Sequence, residues 1–218
     1  MLPTGDWLTD TRTSYDTVAV SYAQLLRDAL AGDPWDRAVL GLFAELVAEL
    51  VGGHGPGPVA DVGCGPGRIT AHLRTLGLAA VGLDLSPGMV AVGRRDHPGL
   101  PLAVASMTAL PLAPGSLAGL VAWYSVIHVP DDALPGVLAG CAHALRPGGV
   151  LLLASHSGES STLKTQGYGG HPMAVHVHRR TPERLAAALE DAGLAVEGRL
   201  LRRHGDTPAP AGFLLARR

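Results

Sequence analysis

Lysine is almost missing from this chain: Lys164 is the only one among 17 basic residues, and the formal net charge is −2 over 218 residues. No basic excess or Lys/Arg tract is present to hold a phosphate backbone, so no nucleic acid partner is expected. Cysteine is scarce as well. Cys64 and Cys141 cannot build a disulfide framework, and neither sits in a paired metal-ligand spacing. No apolar run approaches the ~20 residues that span a bilayer. A basic stretch followed by an apolar one, the pattern of a secretory leader, is also missing at the N-terminus. These absences exclude a membrane partner and make the cytoplasm the expected location.

What is there suits one α/β domain. Hydrophobic residues make up 47%, enough for a core that folds unaided. Asp33-Pro34 opens a helix with capping chemistry, and Leu40, Phe43, Leu46, Val47, Leu50 and Val51 follow at helical spacing. Gly52–Pro58 ends it. A strand–helix alternation follows: strands at 59–62, 79–83, 102–105, 117–123 and 150–155, with helices at 68–76, 86–95 and 131–145 between them. Arg146-Pro147-Gly148-Gly149 reads as a turn. The stretch Ser157–Pro172 is rich in Gly, Ser, Thr and His without a clear period, and such a segment is expected to be an irregular functional loop. A last helix at 183–192 precedes two runs, 195–201 and 213–216, that read as an antiparallel pair at the sheet edge. The expected architecture is a Rossmann-like, doubly wound sheet of about seven strands, mostly parallel with an antiparallel C-terminal edge strand and helices on both faces. Residues 1–34 read as an N-terminal helical lid, 35–218 as the nucleotide-binding domain, and 157–180 as its active-site loop.

The richest stretch is Val59-Ala60-Asp61-Val62-Gly63-Cys64-Gly65-Pro66-Gly67-Arg68. An apolar strand ends in a glycine turn and a helix follows at once. About 20 residues later a second apolar run ends in Asp84, placed to accept hydrogen bonds from ribose hydroxyls. A dinucleotide fingerprint needs glycine at the position of Arg68 for close helix–strand packing. Asp61, aimed into the site, repels a diphosphate and attracts a cation. The ligand should therefore offer ribose hydroxyls to Asp84 and positive charge to Asp61, as S-adenosylmethionine does.

D-V-G-C-G-P-G at 61–67, L-D-L-S at 83–86 and L-R-P-G-G-V-L-L-L at 145–153 together resemble the class I S-adenosylmethionine-dependent methyltransferases, in particular the small-molecule branch of the ubiquinone/menaquinone methyltransferases. The resemblance covers roughly residues 35 to 155. It implies that Asp61, Gly63, Cys64 and Gly65 line the methionine end of the cofactor, that Asp84 binds the ribose, and that Leu85 and Met89 flank the adenine. Where the family often has an Asp after the third strand, this chain has Ala105-Ser106-Met107. Ser106 can still make one hydrogen bond to the adenine, and Met107 can offer its backbone N–H. Trp123 and Tyr124 would sit beside the methionine moiety and the mouth of the substrate pocket. Tyr15 and Tyr22 match the family's motif before the first core helix, which makes Tyr15 a catalytic and Tyr22 a cofactor-binding candidate.

Methyl transfer from a sulfonium is an in-line displacement, and a base helps when the acceptor must lose a proton. Among ten histidines, His54, His72, His97 and His143 fall on helices or peripheral turns. His128 follows the fourth strand and His156 the fifth, on the face where the site should lie; both are candidate bases, His128 alternatively a loop-fixing residue for the helix at Asp131. His171, His176 and His178 form a cluster whose His-x-His pair can start a metal site, but no Cys or nearby carboxylate completes one, so no metal is expected and a substrate-pocket role for at least one of them is the better reading. Aromatics are only 4% of the chain, yet Trp7, Tyr15, Tyr22 and Trp35 gather near the N-terminus and Trp123, Tyr124 and Tyr168 near the fourth strand and long loop. Such clustering suits a lid that keeps water from an acceptor, although Trp7 and Trp35 equally suit simple anchoring of N-terminal helices. The expected function is methyl transfer from S-adenosylmethionine to an O, N or C nucleophile of a small molecule, for example a bacterial secondary metabolite, by a monomer or homodimer. The alternatives are an NAD(P)-dependent oxidoreductase, disfavoured by Arg68 and Asp61, and a non-catalytic partner protein that binds the cofactor.

Overall fold

The computed structural model describes residues 6–50, 57–203 and 210–218. Helix α1 (Trp7–Leu25) is capped by Asp6, and α2 (Pro34–Glu49) starts at Asp33, whose carboxylate accepts the N–H groups of Trp35 and Asp36. Strand β1 (Val59–Val62), α3 (Arg68–Thr75), β2 (Ala80–Asp84), α4 (Pro87–Asp96) and β3 (Leu102–Val104) build one half of the sheet. Strand β4 (Leu117–Trp123), a 3-10 turn (Val126–His128), α5 (Leu134–Ala144) and β5 (Leu145–His156) begin the other half. Then come β6 (Ser160–Gly167), β7 (His171–Arg179), α6 (Pro182–Asp191), β8 (Ala195–Arg202) and β9 (Ala211–Arg217).

The main sheet has seven strands in the order β3-β2-β1-β4-β5-β9-β8. The first five are parallel, and β9 runs antiparallel to both β5 and β8. The expected antiparallel C-terminal strand is β9, lying between β5 and β8. Strands β1, β4 and β5 read as unbroken apolar runs because both their faces are covered. Leu40, Phe43 and Val47 of α2 pack on one face with Val121 and Leu152. Leu138 and Cys141 of α5 and Leu185 of α6 pack on the other with Leu120, Leu151 and Leu153. The chain winds outward from β1 to β3, then crosses back to β4. A crevice therefore opens at the carboxyl ends of β1 and β4, where such sheets bind ligands.

Three expectations need correction. Ser157–Pro172 is not irregular: most of it belongs to β6 and the start of β7, which pair as a separate two-stranded antiparallel sheet. Strand β6 is exposed along nearly its whole length, so it carries Ser, Thr and Gln and shows no apolar alternation. The helix expected from Asp131 begins at Leu134, because residues 131–133 form a turn and the Asp131 carboxylate is held by Arg180 and Arg184 at 2.8 Å each. Arg146-Pro147-Gly148-Gly149 is drawn into the start of β5, where the register to β4 slips. His54, with most of the Gly52–Pro58 terminator and of the connection between β8 and β9, lies outside the described residues.

Candidate active site

The glycine turn after β1 is shaped by three residues at positive φ: Gly63 at 77°, Gly65 at 56° and Gly67 at 84°. A Cβ on Gly63 would lie 2.3 Å from the Ser125 Cβ, so β1 and the loop after β4 meet only because that side chain is missing. Asp84, at the end of β2, is pinned by two backbone donors. Gly65 N–H reaches one carboxylate oxygen at 2.7 Å and Ser86 N–H the other at 2.8 Å. Burial raises its pKa and these two N–H groups oppose the rise. The remaining lone pairs are available to a ligand's hydroxyls.

Asp61 is fully buried. One of its oxygens accepts the Thr70 hydroxyl at 2.7 Å, while the other, Oδ1, has no partner. Burial pushes its carboxyl up to about 7. Leaving such an oxygen unpaired is costly, and a cationic group is a partner that would satisfy it. The same void of about 280 Å³ that Asp61 borders is also lined by Tyr22, Gly63, Cys64 and Arg68. One Arg68 guanidinium nitrogen is likewise buried without a partner. A carboxylate and a guanidinium lining one void, each with an unpartnered atom, offer partners for the ammonium and carboxylate of a methionine tail. The Cys64 thiol itself packs with Val90 and Leu102, so its place in the turn owes much to its size.

Adjoining this void is a larger cavity of about 710 Å³, within the range that holds a nucleoside-sized ligand. Asp84, Leu85, Met89, Ser106 and Met107 line it, as do Gly63, Gly65, Tyr22, Trp123 and Tyr124. The Ser106 hydroxyl is shared with Thr108 at 2.7 Å. Tyr124 has φ of 51°, a conformation that side chains rarely adopt, and its ring stands against that of His156 at 4.9 Å. His156 does not line the cavity; it sits on the far side of Tyr124.

Tyr15 and His128 meet over this cavity. The Tyr15 Oη lies 2.6 Å from His128 Nε2, and His128 Nδ1 lies 2.8 Å from the His176 carbonyl oxygen. A carbonyl can only accept, so Nδ1 carries the proton and Nε2 accepts from Tyr15. Burial lowers the His128 imidazole to about 4, and burial together with Tyr168 and Tyr22 raises the Tyr15 phenol well above its ordinary value. The pair is neutral at pH 7. His128 makes no cap for α5; its loop is held instead by Arg180, 1% exposed, which donates to the carbonyls of Val126 at 3.3 Å and Val129 at 2.6 Å.

Sequence reasoning passes over several lining residues. Leu8, Thr11 and Arg12 precede Tyr15 on the same face of α1, and their spacing of three, four and seven residues from it is the signal that could have found them. Arg180 had no such signal. Of the remaining histidines, His72 and His143 lie on helices and His97 caps the end of α4, while the rings of His176 and His178 stack at 5.9 Å. Among the described residues no group of three metal-ligating side chains comes together, and no helix is long and apolar enough to cross a membrane.

Residues 59–149 match the family model described as a methyltransferase domain. The chain is 30% identical over 152 residues to a ubiquinone biosynthesis O-methyltransferase of Xanthomonas euvesicatoria, covering 64% of this chain and 63% of that one. It is 32% identical over 151 residues to the demethylmenaquinone methyltransferase of Beutenbergia cavernae, covering 68% and 58%. It thus spans less than two thirds of the length of these relatives. The crystal structure of magnesium protoporphyrin IX methyltransferase from Synechocystis with bound S-adenosylmethionine superposes over 100% of both chains, with a TM-score of 0.73 at 16% identity. Residues 59–149 thus form a methyltransferase domain, on a fold shared with S-adenosylmethionine-dependent methyltransferases, and the cofactor suited to the crevice is S-adenosylmethionine.

Proposed function

We propose that this protein transfers a methyl group from S-adenosylmethionine to a hydroxyl oxygen of a small molecule. S-adenosylmethionine supplies the activated methyl group on its sulfonium. The residues supply the rest: Asp84 holds the ribose, Asp61 and Arg68 hold the two charges of the methionine tail, and the aromatic cover of Tyr15, Tyr22 and Tyr168 keeps water out. The observation that carries the choice of oxygen is the hydrogen-bond chain from Tyr15 through His128 to the His176 carbonyl. Tyr15 can take the acceptor's proton on its oxygen while passing its own to His128 Nε2, leaving an imidazolium whose Nδ1–H stays on His176. A base as weak as His128 suffices, because a hydroxyl becomes strongly acidic as its oxygen bonds to the methyl carbon. The relatives named as O-methyltransferases support the same choice. The formal net charge of −2 argues against a nucleic acid acceptor in this reading.

Calorimetry with S-adenosylhomocysteine and NAD, followed by methyl transfer to a panel of phenols and catechols, tests it. Tyr15→Phe and His128→Asn should each lower turnover by about 10²–10⁴-fold and leave S-adenosylhomocysteine affinity unchanged. Binding of NAD in its place, or full turnover by both folded variants, refutes the proposal.

A further inference from the structure

The Tyr15–His128 pair is roofed by the β6–β7 hairpin, and the inner face of that hairpin is cationic. Lys164 is the cross-strand partner of Val175. Val175 is 1% exposed and packs with Val18 and Ala19 of α1. Cross-strand partners share a face, so Lys164 looks inward with it. Its ammonium lies 4.1 Å from the centre of the Tyr168 ring, and that ring lies 6.5 Å from the ring of Tyr15. Arg179, four residues after Val175, falls on the same face by strand alternation.

The charges here are of one sign. Lys164 acts on both His128 and His156, and Arg179 on His156, each disfavouring the imidazolium. Among the described residues no carboxylate pairs with Lys164, whose ammonium is itself pulled down by burial. Asp131, in the loop after β4, is already committed to Arg180 and Arg184. A half-buried ammonium gains from an aromatic face, but an arriving anion stabilises it more.

Resting on the methyltransferase reading above, we propose that the acceptor carries an anionic group, a carboxylate or a phosphate, received by Lys164 on the hairpin. The chain's one lysine is then a specificity-determining residue, placed beside the proton relay and away from the cofactor's charges.

The test uses the full chain loaded with S-adenosylhomocysteine and three probes, 4-hydroxybenzoate, phenyl phosphate and the neutral 4-hydroxybenzamide, measured by calorimetry. At least one anionic probe should bind roughly tenfold or more tightly than the amide, and the better of the two distinguishes carboxylate from phosphate. Lys164→Met should erase that preference while S-adenosylhomocysteine affinity stays unchanged, and Lys164→Arg should restore it. Equal or absent binding of the anionic probes overturns the proposal, as does a preference that survives in Lys164→Met. Loss of S-adenosylhomocysteine affinity in Lys164→Met would assign the lysine to the cofactor's carboxylate and overturn it too. Wild-type protein that fails to bind S-adenosylhomocysteine is a different outcome, and it removes the methyltransferase reading itself.

Discussion

Replacing Asp61 by asparagine should make the free protein more stable at pH 8 and cripple its hold on the cofactor. In the unfolded chain this carboxyl releases its proton near 3.8, whereas in the fold burial holds the proton up to about 7. The folded state therefore keeps a proton that the unfolded state has lost. Stability from this group is greatest below pH 3.8, declines as pH rises through that interval, and is level above about 7. The full swing is about 4 kcal/mol. An asparagine in its place would carry no such dependence, though its amide leaves one N–H unpartnered where Oδ1 is now. The stability difference between Asp61→Asn and wild type should thus shift in the variant's favour by roughly 2–3 kcal/mol between pH 5 and pH 8, read from urea denaturation at each pH. Cofactor binding runs the other way, because the ammonium of the methionine tail needs the ionised carboxylate. Wild-type affinity for S-adenosylhomocysteine should fall about tenfold per pH unit below 7. The variant should bind it roughly ten- to a hundredfold more weakly at pH 8, with a flatter pH profile. A stability difference that does not change with pH, together with undiminished affinity in the variant, would refute both the burial argument and the placement of the tail.

Asp84→Ala removes the acceptor offered to the ribose and should cost roughly 1.5–3 kcal/mol of S-adenosylhomocysteine binding by calorimetry; unchanged affinity would reassign the ribose. Gly63→Ala puts a methyl 2.3 Å from the Ser125 Cβ at a φ of 77°. Thermal or chemical unfolding should register a loss of roughly 2–4 kcal/mol, and a neutral result would mean that the turn and the loop after β4 are not in contact. Arg180→Met leaves the Val126 and Val129 carbonyls without their buried donor and should destabilise by roughly 3 kcal/mol or more in urea titration. A loss of only a few tenths would show that water replaces the guanidinium.

The strands β1, β4 and β5 are legible in the sequence because burial on both faces forces continuous Val, Leu and Ala. The glycine turn and Asp84 are legible because backbone geometry admits few residues there. The hairpin is not. Strand β6 is exposed along nearly its whole length and so carries no apolar period, β7 buries only Met173 and Val175, and what orders the pair lies in α1, far away in the chain. Tyr15 and His128 each stand out by position, yet they are 113 residues apart, and nothing local says that one donates to the other. His156 stands out by the same argument as His128, but the ring of Tyr124 intervenes between it and the cavity. Arg180 ends a His- and Arg-rich stretch with no local sign of burial, and only the carbonyls of the loop after β4 explain it.

Helix α1 binds these distant parts together through three consecutive residues. Ser14 Oγ accepts the Ala174 N–H of the hairpin at 2.8 Å, and Tyr15 reaches His128 in the 3-10 turn. Asp16 accepts both the Ser86 hydroxyl at 2.5 Å and the Gly88 N–H at 2.8 Å, at the start of α4 just beyond Asp84. Successive side chains on a helix point about 100° apart, so these contacts grip α1 from three directions. Rolling the helix to improve one contact breaks another. The hydroxyl of Tyr15 is therefore placed jointly by the hairpin, the loop after β4 and the cofactor-binding strand. The proposed proton relay is then assembled only when all three meet α1, which would tie the order of the acceptor site to that of the cofactor site.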